Sequence, residues 1–130
     1  MEEIRLQTER KTQLLDITDQ VRAAVNGGGS ALLVYVPHTT AAVTINEKID
    51  PALVQDLEAA FERVVGSDWN WTHDDVDGPN GPSHGRASVV GPQVLVPLRD
   101  GKLGLGTYQG IFFCEFDGPR TRSVFLSVLQ

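Results

Sequence analysis

Apolar residues along this chain fall into short segments whose period changes from two to nearly four and back to two. Ile4-Arg5-Leu6-Gln7-Thr8 alternates apolar and polar, the pattern of a half-buried strand, and Thr12 to Ile17 predicts a second short one. Thr18 then offers an N-cap hydroxyl, Asp19 suits the first turn, and Val21, Ala24 and Val25 recur at helical spacing before Gly27-Gly28-Gly29 ends the segment. Leu32 to Val36 is a continuous apolar run of strand length, which predicts burial on both faces, and Pro37 stops it. Val43-Thr44-Ile45 resumes extended structure.

From Asp50 the period lengthens. Pro51 suits a first helical position, and Leu53, Leu57, Phe61 and Val64 form an apolar stripe expected to pack on a sheet. Gln55, Asp56, Glu58, Glu62 and Arg63 would face water or a neighbouring subunit, and Gly66 would end the helix. Residues 66 to 92 are rich in Gly and Pro and predict a loop, with a helical turn around Arg86 to Val90. Connections this long in small domains are commonly binding loops. The tail is β-rich: a hairpin from Val94 to Leu105 around Asp100-Gly101, then strands at Tyr108 to Phe116 and Ser123 to Leu129 separated by Asp117-Gly118-Pro119. Strands at both ends with helices between them predict an α+β fold, and 130 residues without repeat or linker predict one domain, 1–130.

Charge narrows the partners. A formal net charge of -6 argues against a nucleic-acid backbone, with only Arg120 and Arg122 locally basic. No apolar run approaches the length of a membrane span and no secretory leader pattern is visible, so neither membrane nor export is expected. The single cysteine, Cys114, forms no intrachain disulfide and fits the reducing cytoplasm. Alternation puts Cys114 beside Phe112 and Phe116, so a buried apolar role outweighs a nucleophilic one.

The candidate chemistry lies in polar motifs. All three histidines occupy them: His38 in Pro37-His38-Thr39-Thr40-Ala41, and His73 and His84 on either side of an acidic, Pro/Gly-rich stretch containing Asp74, Asp75 and Asp77. If the chain turns back after Val43-Thr44-Ile45, His38, Thr39 and Thr40 would meet Asn46 and Glu47, an arrangement suited to acid/base work or to orienting a metal ligand. Three neutral imidazoles around one ion would leave an open position for an acidified water, although the spacing matches no compact metal motif and a solvated acidic loop is an equal reading. Gly104 to Gly110 is a glycine-spaced turn in which Thr107 and Gln109 could hydrogen-bond a ligand, or which could be a bulge in a packed sheet. Glu115 would pair with Arg120 or Arg122, or those cations would receive an anion.

Several of these motifs occur together and in order. Pro37-His38-Thr39-Thr40-Ala41, Asn46-Glu47, His73-x-Asp75, Asn80 to His84, and Gly104 to Gln109 with Glu115-Phe116-Asp117-Gly118-Pro119-Arg120 resemble the YjbQ family, also described as secondary thiamine-phosphate synthases. Two departures stand out. Where members of that family usually carry two histidines one residue apart, this chain has Pro82-Ser83-His84, and Tyr108 replaces the tryptophan of Gly-Thr-Trp-Gln.

The resemblance implies a YjbQ-like two-sheet β-sandwich with flanking helices, assembled as a homotrimer, with a histidine-lined site. It also implies a secondary thiamine-phosphate synthase activity, joining a hydroxymethylpyrimidine diphosphate to a thiazole phosphate with release of pyrophosphate. On this reading His38, His73 and His84 hold a divalent metal ion, zinc or magnesium. Glu47, His84, Asn46 and Gln109 are catalytic, with Glu47 and His84 managing protons, and Thr39, Thr40, Thr107 and Arg120 bind a small phosphorylated metabolite. The alternatives are a metal-dependent hydrolase of a small substrate and a non-catalytic metal- or metabolite-binding trimer.

Overall fold

The computed structural model describes residues 1–25, 27–73 and 80–130. In chain order its elements are β1 (Glu2–Gln7), β2 (Gln13–Asp16), α1 (Thr18–Ala24), β3 (Ala31–Tyr35), β4 (Ala41–Glu47), α2 (Pro51–Val64), α3 (Gly81–Val90), β5 (Gln93–Arg99), β6 (Lys102–Leu103), β7 (Gln109–Glu115) and β8 (Thr121–Leu129). The fold is α+β. One antiparallel sheet runs β1-β8-β3-β5-β6 and a second runs β2-β7-β4. Asp100 and Gly101 both take positive φ, 53° and 74°, as the tight hairpin between β5 and β6 requires.

The smaller sheet is the middle of three layers. Its inner face, with Val43, Ile111 and Phe113, meets Leu32, Val34, Val96, Val124 and Leu126 of the larger sheet. Its other face, with Phe112, Cys114 and Phe116, receives Val54, Leu57 and Phe61 of α2 and Ala87 of α3. The alternation read along β7 therefore feeds two cores from one strand. Cys114 is fully buried and burial pushes its thiol up to about 12, which fits a small apolar filler.

Four local expectations are corrected. Leu32 and Val34 are buried, but Tyr35 is exposed and Leu33 half-buried, because no helix or strand among the described residues covers the outer face of the larger sheet. The Thr18 hydroxyl is not an N-cap acceptor: it donates to Asp16 Oδ1 at 2.5 Å and accepts from the Ile111 amide at 2.9 Å, while Asp16 Oδ1 also accepts the Thr18 amide at 2.9 Å. On α2 the buried stripe is shifted. Val64 is exposed, and Glu58 is buried because it accepts two bonds from Arg10, at 3.1 and 3.0 Å, and the Leu14 amide at 2.8 Å. A carboxylate satisfied by a guanidinium and an amide can leave water where an unpaired one cannot.

The fourth concerns the predicted loop, where a ten-residue helix, α3, runs from Gly81 to Val90. Pro82 falls in the first turn, whose amides have no helical partner, so proline costs little there. Arg86 fastens the helix by donating to the carbonyls of Glu62 at 2.9 Å and Val65 at 3.0 Å, and Ser83 Oγ donates to the Phe116 carbonyl at 2.5 Å. His84 is thereby held on a rigid helix at the end of β7. Asp74, Asp75 and Asp77 of the acidic stretch lie outside the described residues. Among the described residues no helix is long and apolar enough to cross a membrane.

Candidate functional site

The connection from β3 to β4 carries the chain from one sheet to the other, and His38 sits in that crossing. Tyr35 is opposite Phe125 in the last pair of the β3–β8 ladder, so Pro37 ends the strand just where the Ser123 amide would need its next partner. The His38 ring supplies it: Nε2 accepts the Ser123 N–H at 2.9 Å. That bond places the proton of the neutral ring on Nδ1. Burial, and then the charge of Arg122, lower the His38 pKa, so the ring is neutral at neutral pH.

Beneath His38 lies a buried polar network. Glu115, wholly inaccessible, receives Arg122 Nε at 2.8 Å and a second, shorter bond from Arg122 Nη2. Thr8 Oγ1 donates to Glu115 at 2.8 Å, and the Asp117 amide donates to it at 2.9 Å. Arg122 Nη2 also donates to Thr40 Oγ1 at 2.8 Å. Burial alone would push the Glu115 carboxyl up, but Arg122, the Asp117 amide and Thr8 together hold it below the usual range.

Above this network opens a cleft of about 380 Å³ lined by His38, Thr39, Asn80, His84, Asp117 and Arg120, among others. Asp117 accepts Lys11 Nζ at 2.9 Å and Arg120 Nη2 at 2.8 Å, and its carbonyl accepts Arg120 Nε at 2.7 Å. Burial works against its charge, but Lys11 first, and Asn80 and Arg120 after it, hold its pKa low. Among the described residues Lys11, Arg120 and Arg122 thus meet two carboxylates, Glu115 and Asp117, one cation more than the carboxylates they pair with.

His84 also walls a neighbouring pocket of about 330 Å³ with Trp71, His73 and Gly81. The rings of His73 and His84 meet edge to face with centroids 4.9 Å apart. His73 Nε2 is 2.9 Å from Asn80 Oδ1, and Asn80 Nδ2 donates to Asp117 at 3.4 Å.

These features can now be set beside other proteins. The signature of the family described as UPF0047 protein YjbQ-like matches residues 2–130. The chain belongs to this family. A UPF0047 protein of Archaeoglobus fulgidus is 42% identical over 127 residues, covering 98% of this chain and 99% of the relative. YugU of Bacillus subtilis is 39% identical over 132 residues, covering 97% and 96%. Crystal structures of family proteins from Clostridium acetobutylicum and Sulfolobus solfataricus each superpose with a TM-score of 0.92, at 37% and 34% identity. The first covers 99% of this chain and 100% of that one, the second 98% and 94%. These two proteins are described as uncharacterised and of unknown function, respectively.

Within this YjbQ-like frame the predicted residues divide. His38, Thr39, Thr40, His84 and Arg120 line one cleft, with His73 in the adjoining pocket. Thr40 is buried and its hydroxyl oxygen is taken by Arg122, which makes it a support of the cleft. Asn46, Glu47, Thr107 and Gln109 are not brought to it: Ala41 pairs with Glu115 at one end of the β4–β7 ladder, and Glu47 pairs with Gln109 at the other, about 20 Å away at strand rise. β4 stays paired with β7 through Glu47, so the turn-back after Ile45 on which that meeting depended does not occur. At that far end Gln109 Oε1 accepts the Gly106 amide at 2.8 Å and Asn46 Oδ1 accepts the Glu47 amide at 2.7 Å.

His84 meets the His73 ring edge to face and shares a cleft with His38. Among the described residues no group of three His, Cys, Asp or Glu is placed to hold a metal ion, and the Nε2 lone pair of His38 is engaged by Ser123. The described residues therefore do not fit a three-histidine metal site. Asn80 and Asp117 stood in the motifs read from the sequence without a role at the site, and Trp71 was not singled out. The Trp69-x-Trp71 pair just before His73 was the available signal for the last. Glu115 was correctly expected to pair with an arginine. Its partner is Arg122, whereas Arg120 pairs with Asp117.

Proposed function

We propose that the His38 cleft binds the phosphate of a small phosphorylated metabolite, and that the protein acts as a secondary thiamine-phosphate synthase. The observation that carries the reading is the excess of cations over carboxylates among the described residues in and under the cleft, Lys11, Arg120 and Arg122 against Glu115 and Asp117, beside the Nδ1–H of a neutral His38. In the proposed reaction the bond between the pyrimidine methylene carbon and the diphosphate oxygen breaks as the thiazole ring nitrogen bonds to that carbon. Pyrophosphate departs with the electron pair. Arg120 would offset the charge gathering on it, the Nδ1–H of His38 would donate a hydrogen bond to it, and His84, across the cleft, would give it a proton.

The attacking nitrogen carries no proton to lose. Glu47, at the far end of the β4–β7 ladder, is therefore not needed as a base, and no step is routed through a metal ion. A homotrimer belongs to the same proposal, with the outer face of the larger sheet, where Tyr35 and Leu95 stand exposed, as the surface to be covered by another copy. Light scattering at three times the 14.2 kDa chain mass would support it and a monomer mass would oppose it.

The test is turnover with both precursors. Thiamine phosphate should form only when both are present and should fall to background in His84→Ala. No product above that background would reject the synthase reading, and pyrophosphate binding without product would leave a non-catalytic phosphate-binding protein.

A further inference from the structure

The cleft is half of a larger feature. His84 forms a wall of both the charged cleft and the Trp71 pocket, and Asn80 bonds into both, to the His73 ring on one side and to Asp117 on the other. One compartment is lined by cations, hydroxyls and a carboxylate, the other by an indole, two imidazoles and Gly81. Their chemistries suit the two ends of one molecule.

The indole is held in place. Trp71 Nε1 donates to the Gly66 carbonyl at 2.8 Å, and its ring lies nearly parallel to that of Trp69, 14° between planes and 5.8 Å between centroids. Helix α3 approaches it through Gly85, where an added Cβ would come within 3.0 Å of the Trp71 ring and 2.9 Å of Val65. A rigid aromatic wall costs little order on binding and offers a π-face to any flat ring. Trp69 is more than half exposed, so the aromatic surface continues outward to solvent.

We infer that the Trp71–His73–His84 pocket is a subsite for a planar nitrogen heterocycle whose attached phosphate occupies the His38–Arg120 cleft. The inference rests on the proposed phosphate site and adds to it the place where the ring that carries the phosphate is held. Trp71 would be a binding residue for the ring, and His84 would stand where ring and phosphate join.

The two tryptophans of the chain are Trp69 and Trp71, so intrinsic fluorescence reads this pocket directly. The experiment compares the affinities of inorganic pyrophosphate and hydroxymethylpyrimidine diphosphate for wild-type protein, Trp71→Leu and Trp71→Phe by calorimetry, with fluorescence followed in parallel on the wild type. The pyrimidine compound should bind wild type about tenfold more tightly than pyrophosphate, the scale of stacking one base on an aromatic side chain, and should change the tryptophan emission. Trp71→Leu should lose that advantage while keeping its affinity for pyrophosphate, and Trp71→Phe should keep most of it. Equal wild-type affinity for the two compounds, or an advantage preserved in Trp71→Leu, would overturn the ring subsite and leave the phosphate cleft standing. Failure of wild type to bind pyrophosphate at all would instead remove the phosphate reading and the subsite with it. Should Trp71→Leu not fold, the wild-type comparison and Trp71→Phe decide the question.

Discussion

The two ends of the β4–β7 ladder are both rich in polar residues, yet they are built differently. At the Glu115 end the polar groups meet across the whole chain: Thr8 reaches Glu115, Thr40 reaches Arg122 and His38 reaches Ser123, each pair more than 80 positions apart. At the Gln109 end the amide side chains bond their own neighbours, Gln109 to Gly106 and Asn46 to Glu47. A side chain that closes its own turn does a local job and leaves little for a ligand. One whose neighbours are fixed from three elements can be held at a defined position toward solvent, as a binding site requires.

The largest consequence of this difference concerns stability. Replacing Glu115 with Ala leaves the Arg122 guanidinium buried without its carboxylate, a loss of about 3–5 kcal/mol for a broken buried pair. Chemical denaturation measures it, and the double variant Glu115→Ala, Arg122→Met should recover much of the loss. Gln109→Ala, by contrast, removes one exposed turn bond and should cost about 0.5–1.5 kcal/mol. Equal losses at the two positions would erase the distinction between the ends.

A smaller effect sharpens the picture on the histidine side. His38 is depressed by burial and by Arg122, so its ring resonances should titrate below the ordinary value of about 6.5. The sign for stability follows from linkage. As pH falls below about 6.5 the unfolded chain binds the proton before the folded one does, so the His38 contribution destabilises the fold progressively until the folded pKa is passed. His38→Gln should remove that part of the acid sensitivity. A wild-type His38 titrating above the ordinary value would contradict a ring buried beside Arg122.

Much of this architecture was legible in the order of residues. The alternation along Gln109 to Phe116 sorted side chains onto their two cores, and Asp100-Gly101 marked its hairpin, because period and turn chemistry are local properties. All three histidines border the candidate cleft or the pocket beside it. What local reasoning could not supply was partnership at long range. Glu58 reads as a solvent-facing residue until Arg10 and the Leu14 amide are placed beside it, and Gly81-Pro82 reads as loop until Ser83 and Arg86 anchor the helix. Nothing near His38 in sequence signals that Ser123, 85 positions later, would occupy its Nε2. That bond engages the His38 nitrogen a metal would need, and among the described residues no three His, Cys, Asp or Glu side chains stand together to hold one.

The account stands or falls on the contrast between the ends, and calorimetric titration of pyrophosphate into wild type, Arg120→Ala and Gln109→Ala tests it most directly. Wild type and Gln109→Ala should bind with affinities within about twofold, and Arg120→Ala should bind at least about tenfold more weakly, as loss of a charge-assisted contact predicts. Undiminished binding by Arg120→Ala, or an equal loss in Gln109→Ala, would contradict the claim that the phosphate site lies at the His38 end alone.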